Sequence, residues 1–271
     1  MQEADEEVIS FEGIGTNRLI IANHPEVLTP TEYAITFGKI IWSRELSGKR
    51  VLDVGCGSGI LSIIAAIQGA EVWATDISPH AIEMTKFNAK RNGVEIEQLV
   101  QENVLDAFLQ GGEFESVKFD TIICNNPSLP GKDSSDLSRS GFIEWNQNGD
   151  GRYILDQLLL QGRNVLTEQG SLITHSSSEQ RWNDTAHKLG KHWDDWQILM
   201  LLELAVEGDY YADALSDWLA RGTIYNKRKK LMHTVTIFEA YASARPADLT
   251  REHFFADKLL SETMIRKLLD I

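Results

Sequence analysis

The chain has 271 residues, 42% of them hydrophobic, and 26 Lys and Arg against 40 Asp and Glu give a formal net charge of −14. That length, with seven Trp and ten Phe, fits one large globular domain with a sizeable core. The acidic surface repels nucleic acid and anionic membrane unless a local basic patch intervenes. The two cysteines, Cys56 and Cys124, have neither disulfide-framework nor metal-ligand spacing, so no metal site is expected and both read as apolar fillers in a reducing compartment. No apolar run is long enough to cross a membrane, and the start MQEADEEV is acidic where a secretory signal would be basic and then apolar, so a soluble, cytoplasmic protein is expected.

In chain order, the first seven or so residues read as loosely held. Residues 9–11 and 18–22 read as short strands of a hairpin around Gly13-Ile14-Gly15. The segment HPEVLTPTEYAITFGKIIW predicts a helix over 30–44, with Thr29 as N-cap, Pro30 in the first turn and Glu32 completing a capping box. Then comes the stretch around which the chain is organised, KRVLDVGCGSGILSIIAA over 49–66. It reads as a buried strand over 51–54, a turn with Gly55, Gly57 and Gly59, and an apolar helix. Glycines at alternate positions let the main chain turn sharply and lie against a ligand. A dinucleotide fingerprint needs its third glycine one residue later, and the carboxylate of Asp53 would repel a pyrophosphate but suit a cationic amino group.

A second strand over 71–75 ends at Asp76, where a carboxylate lies beside the ligand crevice of an open α/β sheet and can accept from ribose hydroxyls. Ser78-Pro79 starts a helix through about residue 91 with Ile82, Thr85 and Ala89 inward. Strands follow over 95–100 and 119–124. The second of these runs into Asn125-Asn126-Pro127-Ser128, at a strand end next to the glycine turn. Residues 129–148 are polar and aperiodic, as in a substrate lid. A helix over 153–165, a turn at 168–170 and a strand over 171–174 come next, then a helix over 181–191 and strands over 196–204 and 231–242. His175 either faces the pocket or serves structure. Tyr210, Tyr211 and Trp218 either line a substrate pocket or pack the core. The basic run over 226–230 either binds an anion or is a solvated hairpin loop. Residues 247–271 predict an amphipathic helix with Leu259, Leu260, Met264, Ile265 and Leu268 on one side, packed on the domain or forming a homodimer.

Asp53-x-Gly55-x-Gly57-x-Gly59 resembles the motif of class I S-adenosylmethionine (SAM) methyltransferases. Asn125 and Pro127 match the asparagine and second proline of the Asn-Pro-Pro-aromatic tetrad of the release-factor glutamine and related N-methyltransferases, whereas Asn126 and Ser128 depart from it. NGDGRYILDQLLLQGRNVLTEQGSLIT extends the likeness, so that it covers about 27–174. The resemblance implies a Rossmann-like seven-stranded α/β sheet with an N-terminal hairpin and helix over 1–48, a SAM-binding domain over 49–243 and a C-terminal helical extension over 244–271. It places Asp53, Gly55, Cys56, Gly57 and Gly59 at the methionine end of SAM, Asp76 at the ribose, and Asn103 and Val104 at the adenine, with Asp106 as an alternative there. Val27, Leu28 and Pro30 match a helix-entry element folded over cofactor and substrate in some relatives, and fit an ordinary capped helix entry equally.

The tetrad implies chemistry at nitrogen. Methyl transfer from a sulfonium is an in-line displacement, so Asn125 and the main-chain carbonyl of Asn126, followed by Pro127, would accept the N–H hydrogens and aim the lone pair. With Ser128 in place of the stacking aromatic, a planar amide or base loses its platform, so the acceptor is an aliphatic amine, a guanidine or a less planar group, or Trp145 or Phe142 supplies the missing face. The expected activity is methyl transfer to an amine, amide or guanidine nitrogen of a small molecule or peptide. A tRNA or rRNA base, and a SAM-binding protein without catalysis, are the alternatives. A nicotinamide oxidoreductase is disfavoured by the early third glycine, and an O-methyltransferase by the lack of a base or metal carboxylates near the fourth strand. Release-factor activity itself is not expected, because those enzymes carry a helical domain ahead of the fold.

Overall fold

The computed structural model describes residues 6–10, 18–128, 150–205, 224–227, 230–244, 253–255 and 258–260. The chain forms two units, one holding the described residues up to Asn125 with 164–170, the other the described residues of 126–128, 150–163 and from Ser171 onward. The predicted lid over 129–148, the aromatics Phe142, Trp145, Tyr210, Tyr211 and Trp218, and the first five residues lie outside the described residues.

In the first unit, β1 (Glu6–Ser10) pairs antiparallel with β2 (Arg18–Ala22), Glu6 opposite Ala22 and Ser10 opposite Arg18. The hairpin therefore begins inside the acidic start, because all five residues of β2 find partners. Helix α1 (Glu32–Trp42) is capped by Thr31, whose side chain accepts from the Ala34 N–H at 3.3 Å, and not by Thr29. Thr31 is extended (φ −87°, ψ 167°), which ends the helix there and leaves Glu32 at its first position, where no capping box forms.

Strand β3 (Arg50–Val54), helix α2 (Ile60–Ile67), β4 (Glu71–Asp76) and α3 (Pro79–Arg91, capped by Ser78) follow the expected boundaries closely. β5 is shorter than its pattern, Gln98–Gln101, and β6 spans Phe119–Ile123. These strands form a parallel array in the order β6-β3-β4-β5. Burial on both faces explains why β3 is apolar over 51–54 apart from Asp53, with Val51, Leu52 and Val54 at most 1% exposed. β4 lies on one side of β3 and β6 on the other, and such a switch of direction is where open α/β sheets bind ligands, beyond the carboxyl ends of the strands.

Two asparagines of α3 fasten β2 in a way the sequence did not signal. Asn88 accepts from the Ala22 N–H and donates to the Ala22 carbonyl, and Asn92 does the same with Ile20. Each amide thus imitates one residue of a neighbouring strand.

Further along the chain, α4 (Tyr153–Val165) leads into β7 (Leu166–Ser177), of which residues 166–170 count with the first unit, and α5 (Trp182–His192) and β8 (Asp195–Ala205) follow in the second. The turn expected at 168–170 is strand instead. A glycine inside a strand marks close backbone approach, and a Cβ on Gly170 would come within 3.0 Å of the Phe119 carbonyl oxygen. β9 (Tyr225–Lys227) and β10 (Lys230–Tyr241) pair antiparallel, so the described part of the basic run lies at the facing ends of two strands, and Lys227 pairs with Glu203. β10 lies antiparallel between β7 and β8. The four parallel strands of the first unit and β7, β8 and β10 equal in number the seven strands of the expected α/β sheet.

The C-terminal helix is corrected where it can be read. His253–Phe255 (β11) runs parallel to β8, and Lys258–Leu260 (β12) pairs antiparallel with β11. Unpaired backbone groups along the edge of β8 override the local helical pattern. Among the described residues no helix is long and apolar enough to cross a membrane.

Candidate active site

The glycine loop is built from the first unit alone. The N–H groups of Gly55 and Cys56 both donate to the Thr75 carbonyl, at 2.8 and 2.9 Å, which turns the chain sharply at the end of β3. Gly55 and Gly57 have positive φ, 72° and 55°, and nothing lies within 4 Å of where a Cβ would stand. That is an open cradle, floored by main chain. Gly59 serves differently: a Cβ there would sit 3.0 Å from Thr85, so this glycine lets α2 pack against α3.

Asp76 locks the loop. Its Oδ2 accepts from the Gly57 N–H and its Oδ1 from the Ser78 N–H, both at 2.9 Å, and each oxygen keeps a lone pair for a ligand. Burial raises its pKa, against the pull of these backbone N–H groups. Thr85 donates to the Gly57 carbonyl at 3.1 Å, and Asn88 donates to that of Ser58 at 2.9 Å. Cys56 is a buried thiol among these groups, with its pKa pushed well up by burial, and Cys124 is held likewise.

Asp53 lies beneath the loop, 1% exposed, accepting from the Ser62 hydroxyl at 2.5 Å. Burial pushes its pKa to about 7, with the field of Asp76 adding to the rise. An acid with a raised folded pKa costs stability as it ionises. The fold is therefore unpenalised below the unfolded value of 3.8, loses stability as pH rises towards about 7, and is constant beyond. Asp53→Asn should remove that slope, gaining up to about 4 kcal/mol at pH 8 relative to pH 4. Urea denaturation across this range checks it.

At the end of β5 the chain turns through Val104, buried and left-handed at φ 57°, while Asn103 accepts from the Asp106 N–H at 3.2 Å. Asp106 itself is exposed. Glu102 was not singled out by sequence, although an acid directly after the strand end was the available signal. Its N–H donates to the Asp76 carbonyl at 3.0 Å, its Oε2 accepts from the Ala107 N–H, and its Oε1 is buried with no partner. Burial pushes its pKa to about 7. The register aligns the strand ends, Asp76 beside Gln101 and Asp53 beside Ile123, so Asp53, the glycines, Asp76, Asn103, Val104 and the half-buried Asn125 all gather at one edge. From α1, Tyr33 is close enough to Cys124 for their charges to interact, and burial raises its pKa well above 10.0.

In the second unit Asn126 is 3% exposed and its side chain is fully engaged. It donates to the Thr174 hydroxyl at 3.0 Å and the His175 carbonyl at 2.8 Å, and accepts from Gln180 at 3.1 Å. Pro127 and Ser128 are half-buried. His175 is 2% exposed, and burial lowers its pKa to about 3, so the ring stays neutral as a structural group would. The Gly-Asp-Gly stretch also has a structural purpose. The Gly151 carbonyl accepts from Gln180 at 2.6 Å, and the buried Arg152 donates to the Gln180 carbonyl, to Thr185 and to Asp156.

Comparison with known proteins places these features in a family. The profile of the family "Ribosomal protein L11 methyltransferase (PrmA)" matches residues 39–126. A Methanocaldococcus jannaschii protein named "Putative protein N5-glutamine methyltransferase" is 32% identical over 185 residues, 67% of this chain and 85% of that one. The ribosomal protein L11 methyltransferase of Vibrio campbellii is 35% identical over 128 residues, and the match spans 41% of its length. Among solved structures, the 16S rRNA N2 G1207 methyltransferase of T. thermophilus, in complex with AdoMet and guanosine, superposes with a TM-score of 0.54 at 13% identity, covering 88% of this chain and 50% of that one. A methyltransferase from Pyrococcus furiosus gives 0.53 at 15%, covering 83% and 89%.

Proposed function

The chain belongs to the class I SAM-dependent methyltransferases, and from that premise we propose that it methylates a nitrogen atom, with the side-chain amide of a glutamine in a polypeptide as its acceptor. The observation that carries this reading is Asn125, half-buried just beyond β6, the strand next to the one that bears the glycine loop. The relative whose name specifies N5-glutamine supports the same chemistry.

The residues present fit the cofactor. The open cradle at Gly55 and Gly57 gives main chain to its amino-acid end, Asp76 keeps lone pairs for the ribose hydroxyls, and Asn103 and Val104 border the adenine beside the unpartnered Glu102 oxygen. Asp53, buried beneath the loop, favours the ammonium through its field and not by contact. When bound, SAM supplies a methyl group on a sulfonium, open to in-line attack. Asn125 accepts a hydrogen from the acceptor nitrogen, and the main-chain carbonyl of Asn126 accepts another, which keeps the lone pair directed at carbon. The Asn126 side chain is engaged elsewhere, so its role in this reading falls to the main-chain carbonyl. Pro127 restricts the backbone that follows.

RNA base methylation is the second reading. The net charge of −14 disfavours it, since phosphate binding is driven by basic groups. Transfer of labelled methyl from SAM should therefore reach glutamine-containing polypeptides and not rRNA or tRNA. Asn125→Ala should lower kcat by about 10²–10³ with SAM affinity unchanged by calorimetry. Label in RNA alone, or an Asn125→Ala enzyme as fast as wild type, would overturn the proposal.

A further inference from the structure

Outside the methyl-transfer machinery, His24, Glu26 and His80 each offer one ligand atom, and these atoms all lie within 4.8 Å of one another. We propose that this triad binds a transition-metal dication, with Zn2+ as the fitting ion, and so clamps the turn before α1 to the first turn of α3.

Two local structures bring the ligands together. The Val27 N–H donates to the His24 carbonyl at 3.0 Å, closing a tight turn in which Pro25 follows His24. Proline there pre-sets the backbone, so His24 and Glu26 are held on a stiff support. Val27 anchors the turn by packing with Ala22, Ala81 and Met84. His80, one residue before Ala81, is thereby carried to the turn. Its ring stacks on His24 with centroids 4.9 Å apart, and its Nε2 stands 2.6 Å from Glu26 Oε2. Preorganisation of this kind reduces the ordering cost of binding.

The donor set selects the ion. Two imidazoles and a carboxylate suit Zn2+ and its neighbours, whereas Mg2+ and Ca2+ favour all-oxygen shells. Zinc bonds of about 2.0–2.1 Å put tetrahedral ligands about 3.3 Å apart. The exposed Glu26 and the half-buried His24 and His80, on a turn and a helix end, reach that spacing by small rotamer changes, with a solvent molecule in the fourth position. The Glu26 N–H now donates to His24 Nδ1 at 3.2 Å. Binding through either nitrogen gives up this long bond: an ion at Nδ1 displaces the N–H, and an ion at Nε2 moves the ring proton to Nδ1.

Tag-free wild-type protein titrated calorimetrically with Zn2+ at pH 7.5 should bind one ion per chain and melt at a higher temperature with it, while Mg2+ does neither. His80→Ala and His24→Ala should each weaken the site at least about tenfold, Glu26→Gln should weaken it too, and His187→Ala/His192→Ala should leave it unchanged. No zinc binding by wild type, or binding unchanged in His24→Ala/His80→Ala, would overturn the proposal and leave an ordinary surface ion pair.

Discussion

Asp76→Ala is expected to weaken SAM binding by about 10²–10⁴ and to loosen the glycine loop even without ligand. Both oxygens of Asp76 are occupied by backbone N–H groups of Gly57 and Ser78, and both keep capacity for the ribose. A hydrogen bond to a charged group contributes about 1.5–3 kcal/mol, so losing two costs about 3–6 kcal/mol, and each 1.4 kcal/mol is a factor of ten. The loop suffers independently, since the Gly57 N–H loses its acceptor while φ at that residue stays at 55°. Asp76→Asn should fall between, because one oxygen remains to accept. Calorimetric titration of SAM and S-adenosylhomocysteine reads the effect, with a thermal melt to show that the variants are folded. A folded Asp76→Ala protein that binds SAM as tightly as wild type would remove the ribose role from Asp76 and with it this reading of the strand ends.

The reason Asp76 was legible in the sequence is that its meaning is local. A strand, an acid at its end and a Ser-Pro helix start lie within ten positions, and β4, Ser78 and α3 appear where that pattern puts them. The same holds for β3, the glycine turn and α2. What escaped was long-range. Asn88 and Asn92 look like ordinary helix residues, and their bonds to Ala22 and Ile20 cross 66 and 72 positions. Asn126 reads as a departure from a tetrad, and only its partners at Thr174, His175 and Gln180 explain an asparagine there. Glu102 was passed over because its environment, not its spacing, distinguishes it. At the C-terminus the helical pattern of 247–271 is intrinsic to the segment, whereas β11 and β12 depend on the edge of β8, which no local window contains.

Arg152→Ala should destabilise the second unit by about 3–5 kcal/mol, the usual cost of breaking a buried charged network. The guanidinium is 2% exposed, and its fork joins four groups: the Gln180 carbonyl, the Arg181 carbonyl at 3.4 Å, the Thr185 hydroxyl at 3.1 Å and Asp156 at 2.7 Å. Gln180 in turn holds Gly151, Ser177 and Asn126. Truncation leaves a cavity and strands the Gln180 carbonyl, while Asp156 keeps Lys188 at 2.8 Å. For a chain of this size such a loss lowers Tm by roughly 10 °C. Arg152→Lys should recover only part of it, since an ammonium retains the charge but cannot reproduce a planar fork to these four acceptors. Because Gln180 also fixes Asn126, Arg152→Lys should in addition lower kcat more than it raises KM for the polypeptide acceptor, a split that loss of stability alone would not produce. Equilibrium denaturation tests the first part and steady-state kinetics the second. An Arg152→Ala protein as stable as wild type would show the network to be incidental.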